Sequence, residues 1–97
     1  MASARYIKVL WKNSMIDEPI RVFSELDSEN WETRKVEIYR DGSQGYADQT
    51  RECRSMGLGQ IPFPPNEVIA AQPEFEIWDI TREEFETEWQ SALAGHN

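Results

Sequence analysis

The stretch that most constrains the fold is residues 31–47, W-E-T-R-K-V-E-I-Y-R-D-G-S-Q-G-Y-A. Residues 34–40 alternate between apolar and polar side chains, which is typical of a half-buried strand. Asp41 and Gly42 follow, and this pair favours a tight hairpin turn because Gly permits a positive φ and Asp tolerates one. Residues 45–47 predict a short return strand. We therefore expect a central hairpin onto which the other strands pair.

Two earlier segments show the same alternation. Arg5–Trp11 places Ile7 and Val9 on one side and polar residues on the other, and Ile20–Leu26 alternates in the same way. Period-two patterns separated by turn residues predict antiparallel strands. The first half of the chain therefore predicts a meander of about four strands, with one face packed and the other partly open to water.

The pattern stops between residues 48 and 66, which carry two Gly and three Pro. This stretch predicts a long irregular loop, and loops of this length in compact domains are usually functional or disordered. Its mixture of arginines and large apolar residues favours an ordered segment that packs against the domain rather than a solvated linker. Beyond it, Glu67–Gln72 predicts one or two helical turns ending at Pro73, and Phe75–Ile80 is a candidate last strand.

A C-terminal helix over residues 82–94 is the clearest helical prediction. Thr81 and Glu84 have the spacing of a capping box, in which each side chain bonds the backbone amide of the other residue. An apolar stripe at helical spacing predicts the face that packs on the sheet: Phe85, Trp89, Ala92 and Leu93. We expect one α+β domain over residues 1–97, an antiparallel meander of about four strands packed by this helix, with a long central loop and a short extra helix.

The net charge of −8 is concentrated in the last two-fifths of the chain. Residues 1–59 hold nine basic and ten acidic side chains, whereas residues 60–97 hold one basic and eight acidic. Such a surface repels nucleic acid and anionic lipid and speeds association with a basic partner, although acidic surfaces also serve solubility. The single cysteine and the lack of a signal-like or membrane-spanning stretch predict a cytoplasmic protein.

Groups with recognisable catalytic chemistry are scarce. The single Cys53 lies between Glu52 and Arg54, and the single His96 lies next to the C-terminus, where chains fray, so we do not expect a catalytic Cys–His pair. One Cys and one His do not make a zinc site, and the sequence lacks calcium-loop and phosphate-loop motifs. Eighteen carboxylates make any acidic pair uninformative. We expect no enzymatic activity, no cofactor and no metal.

The chain has four tryptophans, and in a small domain we expect most of them in the core. A tryptophan left outside the core is a typical anchor in a protein interface, and Trp78 and Trp31 are the candidates because each borders a turn or a break in pattern. The long loop and the acidic start of the last helix complete a candidate partner-binding set: Arg51, Arg54, Met56, Phe63, Trp78, Glu83 and Glu84.

The residue pattern resembles a family of small bacterial proteins known as a domain of unknown function. The resemblance is carried by Y-I-K-V-x-W at residues 6–11, by S-E-L-D-x-x-x-W-E-x-R-K-V-E-I-Y-x-D-G-x-x-G-Y-A at residues 24–47, and by L-G-x-I-P and P-E-F further on. It covers nearly the whole chain and transfers no activity, cofactor or catalytic residue. It implies an immunity-type or accessory partner in toxin and defence neighbourhoods.

Two classes of function follow from these observations. The first is a non-catalytic binding protein, such as an immunity-type inhibitor that masks a basic site on a bacterial toxin or effector. The second is a small ligand-binding domain or motif-less enzyme that uses carboxylates and the 48–66 loop, which predicts a pocket with acidic groups of raised pKa. A homodimeric accessory protein closed through a sheet edge is a further alternative, and the sequence leaves the oligomeric state open.

Overall fold

The structure is a computed structural model that describes residues 4–55 and 57–95. Over these residues the chain forms one antiparallel sheet of six strands in the order β5-β4-β3-β2-β1-β6, with two helices. The elements in chain order are β1 (Arg5–Trp11), β2 (Arg21–Leu26), β3 (Glu32–Ile38), β4 (Gln44–Asp48), β5 (Glu52–Cys53), α1 (Asn66–Ala70), β6 (Phe75–Ile80) and α2 (Arg82–Ala94). The α+β class and the C-terminal helix are confirmed.

The central hairpin forms as its turn residues predict. The amide of Tyr39 donates to the carbonyl of Ser43 at 2.9 Å, and Gly42 adopts a φ of +86° between them. The positive φ explains why a glycine occupies this position. β1 to β4 then follow one another as a meander, because each strand pairs with the next along the chain.

The sheet has six strands rather than about four: the candidate strand Phe75–Ile80 is confirmed as β6, and β5 is an addition that the sequence did not predict. β5 lies inside the stretch predicted as an irregular loop over residues 48–66, where Cys53 pairs with Tyr46 of β4. A two-residue strand is too short to show a period, so its pairing partner alone defines it. β6 pairs with β1, the strand furthest from it in sequence, and no local pattern encodes such a pairing.

One face of the sheet, here called the helix face, packs against α2. Phe23, Val36 and Ile38 lie on this face and are buried under the helix. From α2, the rings of Phe85 and Trp89 lie 5.4 Å from Tyr6 and 5.6 Å from Tyr46 respectively. The predicted stripe is confirmed: Phe85, Trp89 and Ala92 are buried and Leu93 is partly buried against the same core.

The opposite face, here called the loop face, carries a second core. Ile7, Val9 and Leu26 are buried there under Phe63, with Phe75 and Ile77 of β6 beside them. Both faces therefore carry buried residues, and the loop face is partly open to water, because Asp79 is exposed and Phe63, Phe75 and Ile77 are only partly buried. The covering segment is fixed by main-chain hydrogen bonds, one of which runs from the Phe63 amide to the carbonyl of Asn30 at 2.6 Å. Within the described residues, no helix is long and apolar enough to cross a membrane.

Candidate functional site

Trp78 is the most prominent exposed group on the helix face. It lies on β6, which forms an edge of the sheet, and 42% of its surface is exposed. The ammonium group of Lys8 on β1 lies 5.2 Å from the centre of its ring, a distance at which cation–π attraction holds the ring in place. Trp31 is 39% exposed, so both candidate tryptophans lie partly outside the core.

Exposed carboxylates flank Trp78 in the sequence: Glu76 shares its face of the sheet, whereas Asp79 lies on the loop face. They belong to the turn before β6, to β6 itself and to the first turn of α2, and together with Trp78 they define what we call the acidic edge surface: Glu74, Glu76, Asp79 and Glu83. The Glu76 carboxylate forms an ion pair with Lys12 at 3.2 Å, and both side chains are about half exposed. Because such pairs are weak in water, Glu76 remains open to another cation.

Glu84 has a structural role at the start of α2. Its amide donates to the Thr81 hydroxyl at 3.1 Å, and its carboxylate accepts from the Thr81 amide at 3.5 Å. The predicted capping box is therefore present. Glu83 makes no such cap, and its exposed carboxylate is the one in this turn that faces solvent without holding the helix.

Arg51 and Arg54 lie at the other edge of the sheet. The Nε of Arg51 pairs with Asp48 at 3.1 Å, and its guanidinium lies 5.6 Å from the ring of Tyr46. Arg54 has a φ of +52°, its carbonyl accepts from the Tyr39 hydroxyl at 2.9 Å, and its guanidinium stacks 4.6 Å above that ring. Both side chains are exposed, and each is held by a neighbouring aromatic ring.

The seven predicted binding residues do not form one surface. β5 and β6 are opposite edges of the sheet, so five strand spacings of about 4.8 Å separate Arg54 from Trp78 by roughly 24 Å. Phe63 packs against the core on the loop face, and Met56 lies outside the described residues. Trp78, Glu83 and Glu84 lie together at the junction of β6 and α2, whereas Arg51 and Arg54 flank β5 at the opposite edge. Strand order, which a local pattern does not encode, explains the difference.

Sequence reasoning missed a cluster around Arg34 on the helix face. Arg34 donates to Glu25 of β2 at 2.9 and 2.6 Å and to Glu86 of α2 at 2.8 and 3.0 Å. Its guanidinium also lies 4.9 Å from the ring of Phe85 and 5.2 Å from that of Trp89. In the sequence, the signal for this cluster is the opposite charge of Glu25 and Arg34 on two neighbouring predicted strands. Their pairing also needs the β2–β3 register, in which the two residues face each other. Both residues belong to the pattern that carries the family resemblance.

A cleft of about 550 Å³ opens beside this cluster. Glu25, Asp27 and Asp48 contribute carboxylates to its lining, with Arg34 as the basic group. Hydrogen bonds from Arg34 hold the pKa of Glu25 below its usual range. Burial raises the pKa of Asp48, but hydrogen bonds from Thr50 and Arg51 outweigh it and the net shift is downward.

The chemistry of the cleft is that of ionised, internally bonded carboxylates. Asp27 Oδ1 accepts from the amides of Glu29 and Trp31 at 2.8 and 3.0 Å, which fixes the β2–β3 turn. A general acid needs a carboxyl with a raised pKa, which is the opposite of the shift at Glu25. Among the described residues, no group of three or more His, Cys, Asp and Glu side chains is placed to hold a metal ion.

Fold and surface together define the chain as a small α+β domain with a charged sheet edge and an exposed aromatic side chain. A family model described as a domain of unknown function (DUF6881) matches residues 5–94, and the chain belongs to this family. The match covers all eight structural elements, from β1 to the last residue of α2. No curated protein and no solved structure matches the chain.

Proposed function

We propose that this chain is a non-catalytic protein-binding domain, an immunity-type inhibitor that masks a basic site on a bacterial toxin or effector. The observation that carries the proposal is the exposed Trp78 within the acidic edge surface. Exposed tryptophans that are held in place are typical anchors of protein interfaces. Carboxylates around such an anchor attract a basic partner and speed its association.

The charge of the surrounding segment supports a basic partner. Residues 60–97 hold eight acidic side chains and one basic side chain, Arg82. The Nε of Arg82 lies 3.8 Å from Glu86, and 70% of its side chain is exposed. This weak, exposed pair leaves most of the negative charge of the segment in place. Lys8 and Lys12 of β1, which lie beside Trp78 and Glu76, offset part of it.

The state of the carboxylates favours binding over acid–base catalysis. Hydrogen bonds from Arg34 lower the pKa of both Glu25 and Glu86, so each stays ionised near neutral pH. Cys53 is half-buried in the short strand β5. Its possible partner His96 lies outside the described residues. The lowered pKa values of Glu25 and Glu86 favour the binding protein over a small enzyme that uses carboxylates.

The test begins by identifying the partner. The tagged full chain is incubated with lysate at about 50 mM and about 500 mM salt, a range over which the screening length of exposed charges falls severalfold. We expect one basic protein to be retained in a one-to-one complex at low salt and lost at high salt. Co-expression with the chain should then abolish any growth defect that this protein causes.

Matched variants separate the proposed surface from general charge effects. Trp78→Ala should weaken the purified complex by about tenfold or more, whereas Trp31→Ala, which removes the other exposed tryptophan, should not. Glu83→Lys and Glu29→Lys change the net charge equally, and both replace exposed side chains. Only Glu83→Lys should lower affinity strongly. Equal effects of the two charge reversals, or retention of an acidic partner, would contradict the proposal.

A further inference from the structure

β6 is an edge strand, and one of its sides offers main-chain groups to another chain. The amide of Lys12 donates to the carbonyl of Glu74 at 2.7 Å, which shows which residue pairs of the β1–β6 ladder are hydrogen-bonded. Because bonded pairs alternate in an antiparallel ladder, Glu76, Trp78 and Ile80 direct their main-chain groups towards β1. The intervening residues direct theirs outward.

Two outward residues keep their hydrogen-bonding capacity. The amide of Phe75 is used by the preceding turn, where it donates to Gln72 at 3.0 Å. Within the part of the chain that the structure describes, no turn or loop group bonds the main chain of Ile77 or Asp79. These two residues therefore present two amides and two carbonyls in the spacing of a strand, which is the pattern that an added strand recognises.

α1 is the helix that packs next to β6, and several side chains of β6 are exposed. The side chain of Asn66, at the start of α1, accepts from Arg5 at 2.9 Å and donates to Asp79 at 3.3 Å. Arg5 and Asp79 both have their side chains on the loop face, so Asn66 reaches β6 from that face, and α1 packs against β6. On the helix face, Glu76 and Trp78 are exposed, and Asp79 is exposed on the other side.

The charges along β6 select the kind of strand that fits. Glu74, Glu76 and Asp79 place three carboxylates within six residues of the edge. A second copy of this chain would bring the same three charges, and like charges across a strand pair repel. Charged groups are a common means of keeping sheet edges from pairing with their own kind. A basic strand meets attraction at the same positions.

We infer that the basic partner binds by adding an extended strand along β6, with basic side chains alternating along it. On the helix face, one basic side chain lies over Trp78 and its neighbour two residues away lies beside Glu76, because side chains two apart share a face. Small or apolar side chains on the alternate positions lie beside Ile77. This inference rests on the proposed function and specifies how the partner binds.

Amide hydrogen exchange of the free chain, followed by NMR, tests whether the edge is open. We expect the amides of Ile77 and Asp79 to exchange at least about tenfold faster than those of Glu76 and Trp78, which bond β1. Equal protection of all four amides would overturn the inference, since it would mean that the edge is already covered. Protection that rises with protein concentration would assign the edge to a second copy and overturn it as well.

A peptide probe tests the chemistry of the added strand. One acetylated and amidated peptide alternates lysine with threonine, and a matched peptide carries glutamate in place of lysine. Only the lysine peptide should slow exchange at Ile77 and Asp79, by about tenfold at millimolar peptide. No slowing by the lysine peptide, or equal slowing by both peptides, would overturn the inference.

Two variants at Asp79 separate main-chain docking from charge. Asp79→Pro removes the outward amide, which an edge strand tolerates, and Asp79→Ala removes the same carboxylate but keeps the amide. We expect Asp79→Pro to bind the lysine peptide about tenfold more weakly than Asp79→Ala. Equal affinities would overturn docking on the edge.

The two proposals fail in different ways. A basic lysate protein that is captured and weakened by Trp78→Ala, with no response of the edge amides, would leave the function standing without the strand. An edge that accepts the peptide, with no basic protein retained, would instead overturn the function.

Discussion

Arg34 and Glu25 face each other across β3 and β2 and are joined by two hydrogen bonds, from Nε to Oε1 at 2.9 Å and from Nη2 to Oε2 at 2.6 Å. The guanidinium continues to Glu86, so a single side chain ties two strands to α2. The exposed fractions are 20% for Arg34 and 14% for Glu25, which means that the pair is largely shielded from water. Planar, paired contacts of this kind are stronger than ordinary surface ion pairs.

Replacing Arg34 should destabilise the fold more than any other change of a basic side chain. Arg34→Ala leaves two carboxylates without their partner and removes the stacking on Phe85, so we expect a loss of about 3 kcal/mol. Arg34→Lys keeps the charge without the planar fork and should lose about half as much. Urea unfolding measures both. Arg21→Ala, at an exposed position on β2, is the control and should cost less than about 0.5 kcal/mol.

The same cluster makes stability depend on pH on the acid side. Hydrogen bonds from Arg34 lower the pKa of Glu25 and Glu86 in the folded chain, whereas the unfolded chain has the ordinary value of 4.5. The unfolded state therefore binds protons first, and stability falls as the pH drops below about 4.5 and through the lower folded values. The free energy of unfolding, measured from pH 7 to pH 2.5, should decline in that window.

Glu25→Gln provides the matched comparison for this pH dependence. The variant should be less stable at neutral pH and should decline less steeply with acid, because one of the two titrating groups is gone. Parallel curves for the variant and the natural chain would contradict the assignment of the pH dependence to Glu25.

Gly45 marks a close approach between β4 and the end of β5. A Cβ at this position would lie 2.8 Å from the carbonyl carbon of Arg54 and closer still to its oxygen. Because main-chain atoms cannot move aside cheaply, Gly45→Ala should cost about 1–3 kcal/mol. At Gly42 no atom lies within 4 Å, and the positive φ alone should cost about 1 kcal/mol in Gly42→Ala.

Thermal unfolding of the two glycine variants distinguishes the two causes. A loss in Gly45→Ala no larger than that in Gly42→Ala would mean that the Arg54 main chain yields readily, contrary to the packed contact. The NMR shifts of the Tyr39 ring, whose hydroxyl bonds the Arg54 carbonyl, should change more in Gly45→Ala than in Gly42→Ala, because the turn at Gly42 bonds Tyr39 through its main chain.

Local patterns account for the parts of the fold that the sequence predicts. The bounds of β1, the capping box and the helix over residues 82–94 follow from side-chain period and spacing within one element, and the structure agrees with them. The alternation also predicts that Arg34 lies on the same face as Val36 and Ile38, which the strand register confirms.

What the sequence does not predict depends on contacts between distant segments. Arg34 and Glu86 are 52 residues apart, and their pairing needs the position of α2 on the sheet. The position of β6 next to β1 likewise decides which side chains share a surface, and it separates Arg54 from Trp78. For the candidate site, exposure of Trp78 is predictable from the break in pattern, whereas its neighbours are not.

The capping box formed by Thr81 and Glu84 lies between Trp78 and the first turn of α2, inside the proposed binding segment. Thr81→Ala removes the oxygen that accepts from the Glu84 amide and should cost about 1 kcal/mol of stability. Thr87→Ala, further along the same helix, is the control: its hydroxyl bonds the carbonyl of Glu83 at 2.9 Å, and we expect less than about 0.5 kcal/mol.

Because the cap orients the first turn of α2, its loss also bears on function. Glu84→Gln keeps the side-chain acceptor for the cap and removes one negative charge, whereas Thr81→Ala keeps the charge and removes the cap. In chemical denaturation, Thr81→Ala should lower the free energy of unfolding more than Glu84→Gln does. In partner binding, Glu84→Gln should lower the affinity more than Thr81→Ala does. If both variants affect affinity only in proportion to their loss of stability, the acidic start of α2 serves the fold and the partner does not contact it.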